Sequence, residues 1–258
     1  MSAVRLVALL SAAAVTLSGC RQAAEEDVQA PKQAEEQPAA PQEVTITFDG
    51  TTFSMSPATI EAAPVTLTFQ NDGGQPASAF ITKFLPGKGP DDLAQVKSAE
   101  DFFQLIVPAG STPEAAPGQS SRLTIQLPEG DYAVIGESGE QPATFEVTAT
   151  SRKVAAPEAD LQVDAGDFFF KTSESEVASG PLTIELRNVG KQAHEMVLSK
   201  KGGKEEEGFF SFAPAPGGTV WVEAELTPGT YEMVCFFPDP ESGKHHIELG
   251  MQTDLIVV

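Results

Sequence analysis

Histidine, cysteine and tryptophan are scarce in this chain of 258 residues, which has three, two and one of them. Three imidazoles are too few for an enzyme that holds several metal ions through histidine. Basic residues are also short, with 16 Lys+Arg against 37 Asp+Glu and a net charge of −21. That excludes nucleic acid, which needs a basic footprint. It also excludes docking on an anionic lipid surface through protein charge. No HExxH, P-loop or paired-cysteine zinc motif is present, and no Ser-His-Asp set can be completed. In compensation there are 22 Gly and 20 Pro, which favour turn-rich β architecture over helical bundles. Apolar content of 41% is enough for ordinary cores, and the length allows one or two domains.

The N-terminal segment has the features of an export signal. Arg5 supplies a short positive region, and Leu6 to Leu17 is an apolar run too short for a bilayer span but suited to a signal-peptide core. It ends in Leu17-Ser18-Gly19-Cys20, which resembles the lipobox of bacterial lipoproteins. The resemblance implies cleavage before Cys20 and lipidation of its thiol, palmitate included. The alternative is an ordinary signal peptide with a chance cysteine. Residues 1–19 are thus expected to be a lipoprotein signal, and 20–43 a lipidated, disordered, acidic and Pro-rich tether. Arg21 is not the Asp that retains enterobacterial lipoproteins at the inner membrane, so both membranes stay open.

From residue 44 the chain alternates with period two. Val65, Leu67 and Phe69 share a parity, as do Leu123, Ile125 and Leu127. So do Leu182, Ile184 and Leu186; Val220, Val222, Ala224 and Leu226; and Tyr231, Met233 and Cys235. Each set reads as a half-buried strand, and turn signals such as Asn71-Asp72-Gly73-Gly74 and Asn188-Val189-Gly190 separate them. The halves also resemble each other. Pro117-Gly118, Leu127, Gly130 and Tyr132 each stand 99 positions before Pro216-Gly217, Leu226, Gly229 and Tyr231. Extra residues in the first copy include 89–96, where Pro90 and its following acids suggest a short helix. The expected fold is all-β, with two β-sandwich domains over 44–150 and 158–258 and a boundary near 151–157. A single larger sandwich is the alternative.

All three histidines and the only cysteine outside the lipobox lie in the second copy. Cys235 has no partner cysteine there, and an unpaired thiol outside the cytoplasm calls for an explanation. Metal ligation supplies one: a soft thiolate, two imidazoles and a thioether form the donor set of a mononuclear copper centre. Taken singly, each of these residues reads more simply as core or solvated surface, and their joint occurrence is what carries the signal.

At these residues the chain resembles the cupredoxins, the plastocyanin- and azurin-like copper proteins, with Greek-key β-sandwich domains. The segment Asn188 to His194 matches the first-histidine motif, and Cys235, His246 and Met251 match the Cys…His…Met ending. Cys235-Phe236-Phe237-Pro238-Asp239 matches the C-F-x-P-D loop of bacterial lipoprotein members, and His246-Ile247-Glu248-Leu249-Gly250-Met251 their H-x-x-x-G-M register. That register selects His246 over His245. The resemblance implies one copper ion held by His194, Cys235, His246 and Met251, with Phe236 and Phe237 packed over it. The first copy, where Gly136 replaces Cys235 and Ala77 or Ser78 replaces His194, is implied to be an unligated scaffold.

Two departures stand out. Ten residues separate Cys235 from His246, far more than in plastocyanin or azurin. Glu195 stands where many cupredoxins have an amide, and a carboxylate accepts hydrogen bonds but does not donate them. The resemblance implies a membrane-anchored, extracytoplasmic one-electron carrier and no catalytic residue. Its partner would be a redox protein, basic and cytochrome-like, met through salt-sensitive steering. A copper capture or delivery protein, with a copper-handling partner, and a metal-free interaction module are the alternatives. The three histidines exclude a multicopper oxidase or copper nitrite reductase.

Overall fold

The computed structural model describes residues 37–98, 101–102, 104–136, 140–202 and 213–258. The expected signal, Cys20, most of the expected tether and the charged and Phe-rich run 204–212 lie outside the described residues. Residues Gln37–Val258 form one compact unit. Among the described residues no helix is long and apolar enough to cross a membrane.

The structure is all-β. The first repeat contributes β1 (Gln42–Phe48), β2 (Phe53–Ser56), β3 (Thr59–Glu61), β4 (Val65–Asn71), β5 (Phe80–Phe84), β6 (Ile106–Ser111), β7 (Ser120–Gln126), β8 (Gly130–Ile135) and β9 (Ala143–Thr148). The second contributes β10 (Leu161–Gly166), β11 (Phe169–Thr172), β12 (Glu176–Val177), β13 (Gly180–Asn188), β14 (Val197–Lys200), β15 (Thr219–Leu226), β16 (Gly229–Val234) and β17 (Gln252–Val257). The alternating residues point inward as their parity requires: β4 buries Val65, Leu67 and Phe69, and β13 buries Leu182, Ile184 and Leu186. A one-residue slip of β13 would turn all three of its side chains to solvent, at roughly 1.5–3 kcal/mol each. Trp221 departs from the alternation and is buried on the opposite face of β15 from Val220 and Val222. The segment 89–96 forms a 3-10 turn over Pro90–Gln95.

The repeats meet in one sheet of eight strands, ordered β11-β10-β13-β15-β7-β4-β1-β2. Its seam is the antiparallel β15–β7 pair, where Val220 faces Ile125 and Trp221 faces Thr124. The first repeat adds a five-stranded sheet, β3-β9-β8-β5-β6, and the second a four-stranded one, β12-β17-β16-β14. One contiguous cluster of buried side chains draws on all three sheets.

Buried asparagines anchor the turn after β4 and after β13. Asn71 Nδ2 donates to the carbonyls of Gln75 and Ala115, both at 2.8 Å, and its Oδ1 accepts from Gly73 N–H at 2.9 Å. Asn188 Nδ2 donates to Gln192 and Pro214 carbonyls, both at 2.7 Å, and its Oδ1 accepts from Gly190 N–H at 2.9 Å. Counted from these asparagines, the first half of each repeat runs at a constant offset of 117, and Ala77 is then the counterpart of His194.

Candidate metal centre

Two chain segments and one turn build the site. His194 lies on the connection between β13 and β14, downstream of the Asn188 anchor. Cys235 follows directly on β16, and its parity with Tyr231 and Met233 carries it inward to complete burial. His246 opens a 3-10 turn over His246–Leu249 that leads to Met251 and β17. That ending is closed by main-chain bonds. Ile247 N–H donates to Cys235 O at 2.9 Å, Met251 N–H to His246 O at 2.9 Å, and Cys235 N–H to Met251 O at 3.3 Å. Gly250, at φ +102°, makes the left-handed step that returns the chain to β17.

The ten-residue insertion between Cys235 and His246 is a compact turn organised by Asp239. Its Oδ2 accepts from Ser242 N–H at 2.8 Å and from Ser242 Oγ at 2.6 Å. Its Oδ1 accepts from Gln192 Nε2 at 2.9 Å, which ties the insertion to the His194 segment. The bonds from Ser242 and Gln192 hold the Asp239 carboxyl down at about 2.

His194, Cys235, His246 and Met251 are all fully buried. One nitrogen of each histidine and the Cys235 sulfur lie within 4.8 Å of one another. The two Nδ1 atoms stand 3.2 Å apart, and Cys235 Sγ is 3.3 Å from His246 Nδ1. The outward nitrogens set the tautomers. His194 Nε2 lies 3.2 Å from Asp167 Oδ1, and His246 Nε2 lies 3.0 Å from Gln192 Oε1. The Gln192 amide nitrogen is already committed to Asp239, so its oxygen is the atom that faces His246. Both partners are acceptors, which assigns the ring protons to Nε2 and leaves the Nδ1 lone pairs facing the sulfur. Burial lowers the pKa of both imidazoles, so they are neutral at pH 7. Burial also pushes the Cys235 thiol up to about 11, while the Glu195 and Phe237 backbone N–H groups at the sulfur favour the thiolate.

Three supporting residues, Asp167, Phe168 and Gln192, carry no sequence signal. Asp167 and Phe168 form the turn between β10 and β11, and Phe168 has the only positive φ, +70°, among described residues other than glycine. That conformation costs roughly 1–2 kcal/mol and is held where Asp167 meets His194 and the Phe168 ring stands edge-on to His246, 5.2 Å between centroids. Gly190 makes room for this contact. A Cβ there would come within 2.5 Å of Asp167 Oδ1 and 2.6 Å of His194 Nε2. Gln192 completes the set, held by Asp239 of the loop motif.

Other expectations divide. His245 is exposed, with its Nδ1 at the Phe236 carbonyl and its N–H on Glu248. Phe236 is 48% exposed. Phe237 packs against the core, and Phe168 stands against His246. Glu195 Oε1 accepts from Phe236 N–H at 2.9 Å, so it links the two ligand-bearing segments as an acceptor.

Two imidazole nitrogens, a thiol sulfur and a thioether side chain on the same loop fit one mononuclear copper ion. Sequence comparison gives no match to a protein-family model and none to a curated protein. Similar solved structures include reduced auracyanin from Roseiflexus castenholzii, at 18% identity, covering 38% of this chain and 94% of that one with a TM-score of 0.28. Auracyanin A, a blue copper protein from Chloroflexus aurantiacus, is 17% identical, covering 43% of this chain and all of that one with a TM-score of 0.30. Copper nitrite reductase from Nitrosomonas europaea is 12% identical, covering 85% of this chain and 94% of that one with a TM-score of 0.27.

Proposed function

We propose that this protein is an extracytoplasmic one-electron carrier with a single copper ion held by His194 Nδ1, Cys235 Sγ, His246 Nδ1 and Met251. One observation carries the reading: two imidazole nitrogens with inward lone pairs and a buried thiol converge within 4.8 Å. When bound, the copper supplies a Cu(II)/Cu(I) couple.

The chain does the rest. Asp167 and Gln192 hold each ring by its far nitrogen, and the backbone N–H groups of Glu195 and Phe237 stabilise charge on the Cys235 sulfur. The Asp239-centred turn and Glu195 bind the ligand segments to each other. A donor set fixed in this way changes little between oxidation states, which keeps reorganisation small. Its full burial excludes water and slows ion exchange, and this favours a carrier over a copper-delivery protein. Among the described residues one such metal position is found, and no catalytic residue is assigned.

The export signal and Cys20 support a lipid-anchored location outside the cytoplasm, periplasmic or at the cell surface. The charge of −21 suits a basic redox partner. The two repeats are read as two β-sandwich domains, 44–150 without ligands and 158–258 with them.

The test is visible and EPR spectroscopy of the protein with added Cu(II). An intense thiolate-to-copper band is expected, lost in Cys235→Ser. No band, or one that survives that substitution, overturns the reading. Transfer of the copper to a chelator within seconds would favour delivery instead.

A further inference from the structure

Each repeat lays a lysine across a glycine. A Cβ on Gly130 would meet Lys83 Cε at 2.9 Å, and one on Gly229 would meet Lys200 Cε at 2.6 Å. Both lysines sit opposite the tyrosine of the neighbouring strand, Lys83 on Tyr132 and Lys200 on Tyr231. Beyond that point the copies diverge. Lys200 Nζ donates to Thr227 Oγ1 at 2.9 Å. The counterpart of Thr227 is Pro128, which has no hydroxyl to offer. The Lys83 ammonium has no hydrogen bond or ion pair among the described residues, and the contact it does make is with the Tyr132 ring, 5.8 Å from the centroid. Burial lowers its pKa, opposed by the charge of Glu129.

Lys83 lines a cleft of about 480 Å³ between the two repeats. Lys88 and Lys191 line it as well, against one carboxylate, Asp131. Elsewhere Arg122, Arg152, Arg187 and Lys201 are each bonded to an acid, while Lys97, Lys153, Lys171 and Lys244 have no ion pair among the described residues but do not share one cleft with each other. Three lysines against Asp131 and the charge of Glu129 leave the cleft slightly positive, which favours an added anion. The remaining wall is apolar, with Phe84, Pro86, Val107 and Pro216. We propose that this cleft binds a small organic polycarboxylate, one carboxylate on the Lys83 ammonium, others toward Lys88 and Lys191, and the carbon skeleton against the apolar wall. The site is separate from the copper reading and stands or falls without it.

The experiment is calorimetric titration of the full metal-free chain with citrate at constant ionic strength. Saturable one-to-one binding is expected, weakened about tenfold or more by Lys83→Met and by Lys88→Met, as loss of a charge-assisted hydrogen bond predicts. Lys83→Arg, which keeps the charge, retains binding and guards against a folding defect. Lys200→Met, the paired counterpart, leaves it unchanged. Inorganic phosphate, with no carbon skeleton, binds more weakly than citrate. Absence of saturable heat overturns the proposal, as does an equal loss in Lys200→Met, which would mark a general charge effect. Phosphate binding as tightly as citrate overturns the organic assignment. A tetraglutamate peptide binding much more tightly than citrate would assign the cleft to an acidic protein partner instead.

Discussion

The two repeats hold the same scaffold around opposite contents. Asn71 and Asn188 make the same three hydrogen bonds at the same turn, to within 0.1 Å. Yet where the second repeat has His194, Cys235 and Asp167, the first has Ala77, Gly136 and Gly50. The ring-supporting carboxylate is missing along with the ligands. A Cβ at Gly136 would meet Glu140 at 2.5 Å and the Phe53 ring at 3.0 Å, and Phe53 stacks on Phe48. The first repeat has therefore packed its corresponding space with an aromatic and keeps its sheets without any donor. The lesson is that the donors are an addition to a fold that stands without them. Buried imidazoles and a buried thiol give less packing stability than apolar side chains of the same size, so a reason beyond folding is needed to keep them.

The asparagine anchors give the largest test of this comparison. Asn188→Ala leaves two carbonyls and one N–H unpaired and is expected to cost about 3 kcal/mol in urea unfolding. Asn71→Ala leaves one carbonyl and one N–H unpaired, since the Ala115 carbonyl keeps its bond from Ala77 N–H, and is expected to cost about 2 kcal/mol. Only Asn188→Ala should also weaken copper binding, because only its loop carries a ligand. If copper responds equally to both, the scaffold and the site are not separable.

The pH dependence isolates the second repeat, which alone among the described residues carries a thiol. With the Cys235 thiol up at about 11 and both imidazoles neutral, Cu(II) binding at pH 7 to 9 must displace one proton. The sign follows: a proton released on binding makes affinity rise with pH, about tenfold per unit. Chelator competition across that range reads it, and a flat profile would mean the thiol is already ionised.

The smallest effect is expected at Asp167. Its carboxylate raises the basicity of His194, so Asp167→Asn should lower Cu(II) affinity about tenfold. If Cu(I) is unaffected, the potential rises by about 59 mV, measurable by redox titration. The absorption band should persist, since the ligands remain. An unchanged potential would reduce Asp167 to a structural contact.

Much of this was legible in the residues. Period-two parity placed Leu182, Ile184, Leu186 and Cys235 inward because side chains alternate across a pleated strand. Spacing of 99 positions exposed the repeat, and the clustering of rare donors marked the centre. Asp167, Phe168 and Gln192 were not legible. They sit in turns, where no alternation constrains direction, and Asp167 is 27 residues from the ring it supports. Phe236 was not legible for a related reason: it follows Cys235 where the strand has ended, and parity no longer says which way it points.

The sequence by itself determined the all-β class, the repeat, the strand faces and the set of donor types, because each depends on local periodicity or on residue chemistry. Tertiary structure alone decided that β7 and β15 fuse the repeats into one sheet and that both Nδ1 atoms turn inward. Those outcomes depend on which distant backbone or carboxylate lies across a sheet edge or behind a ring, and no interval along the chain encodes that distance.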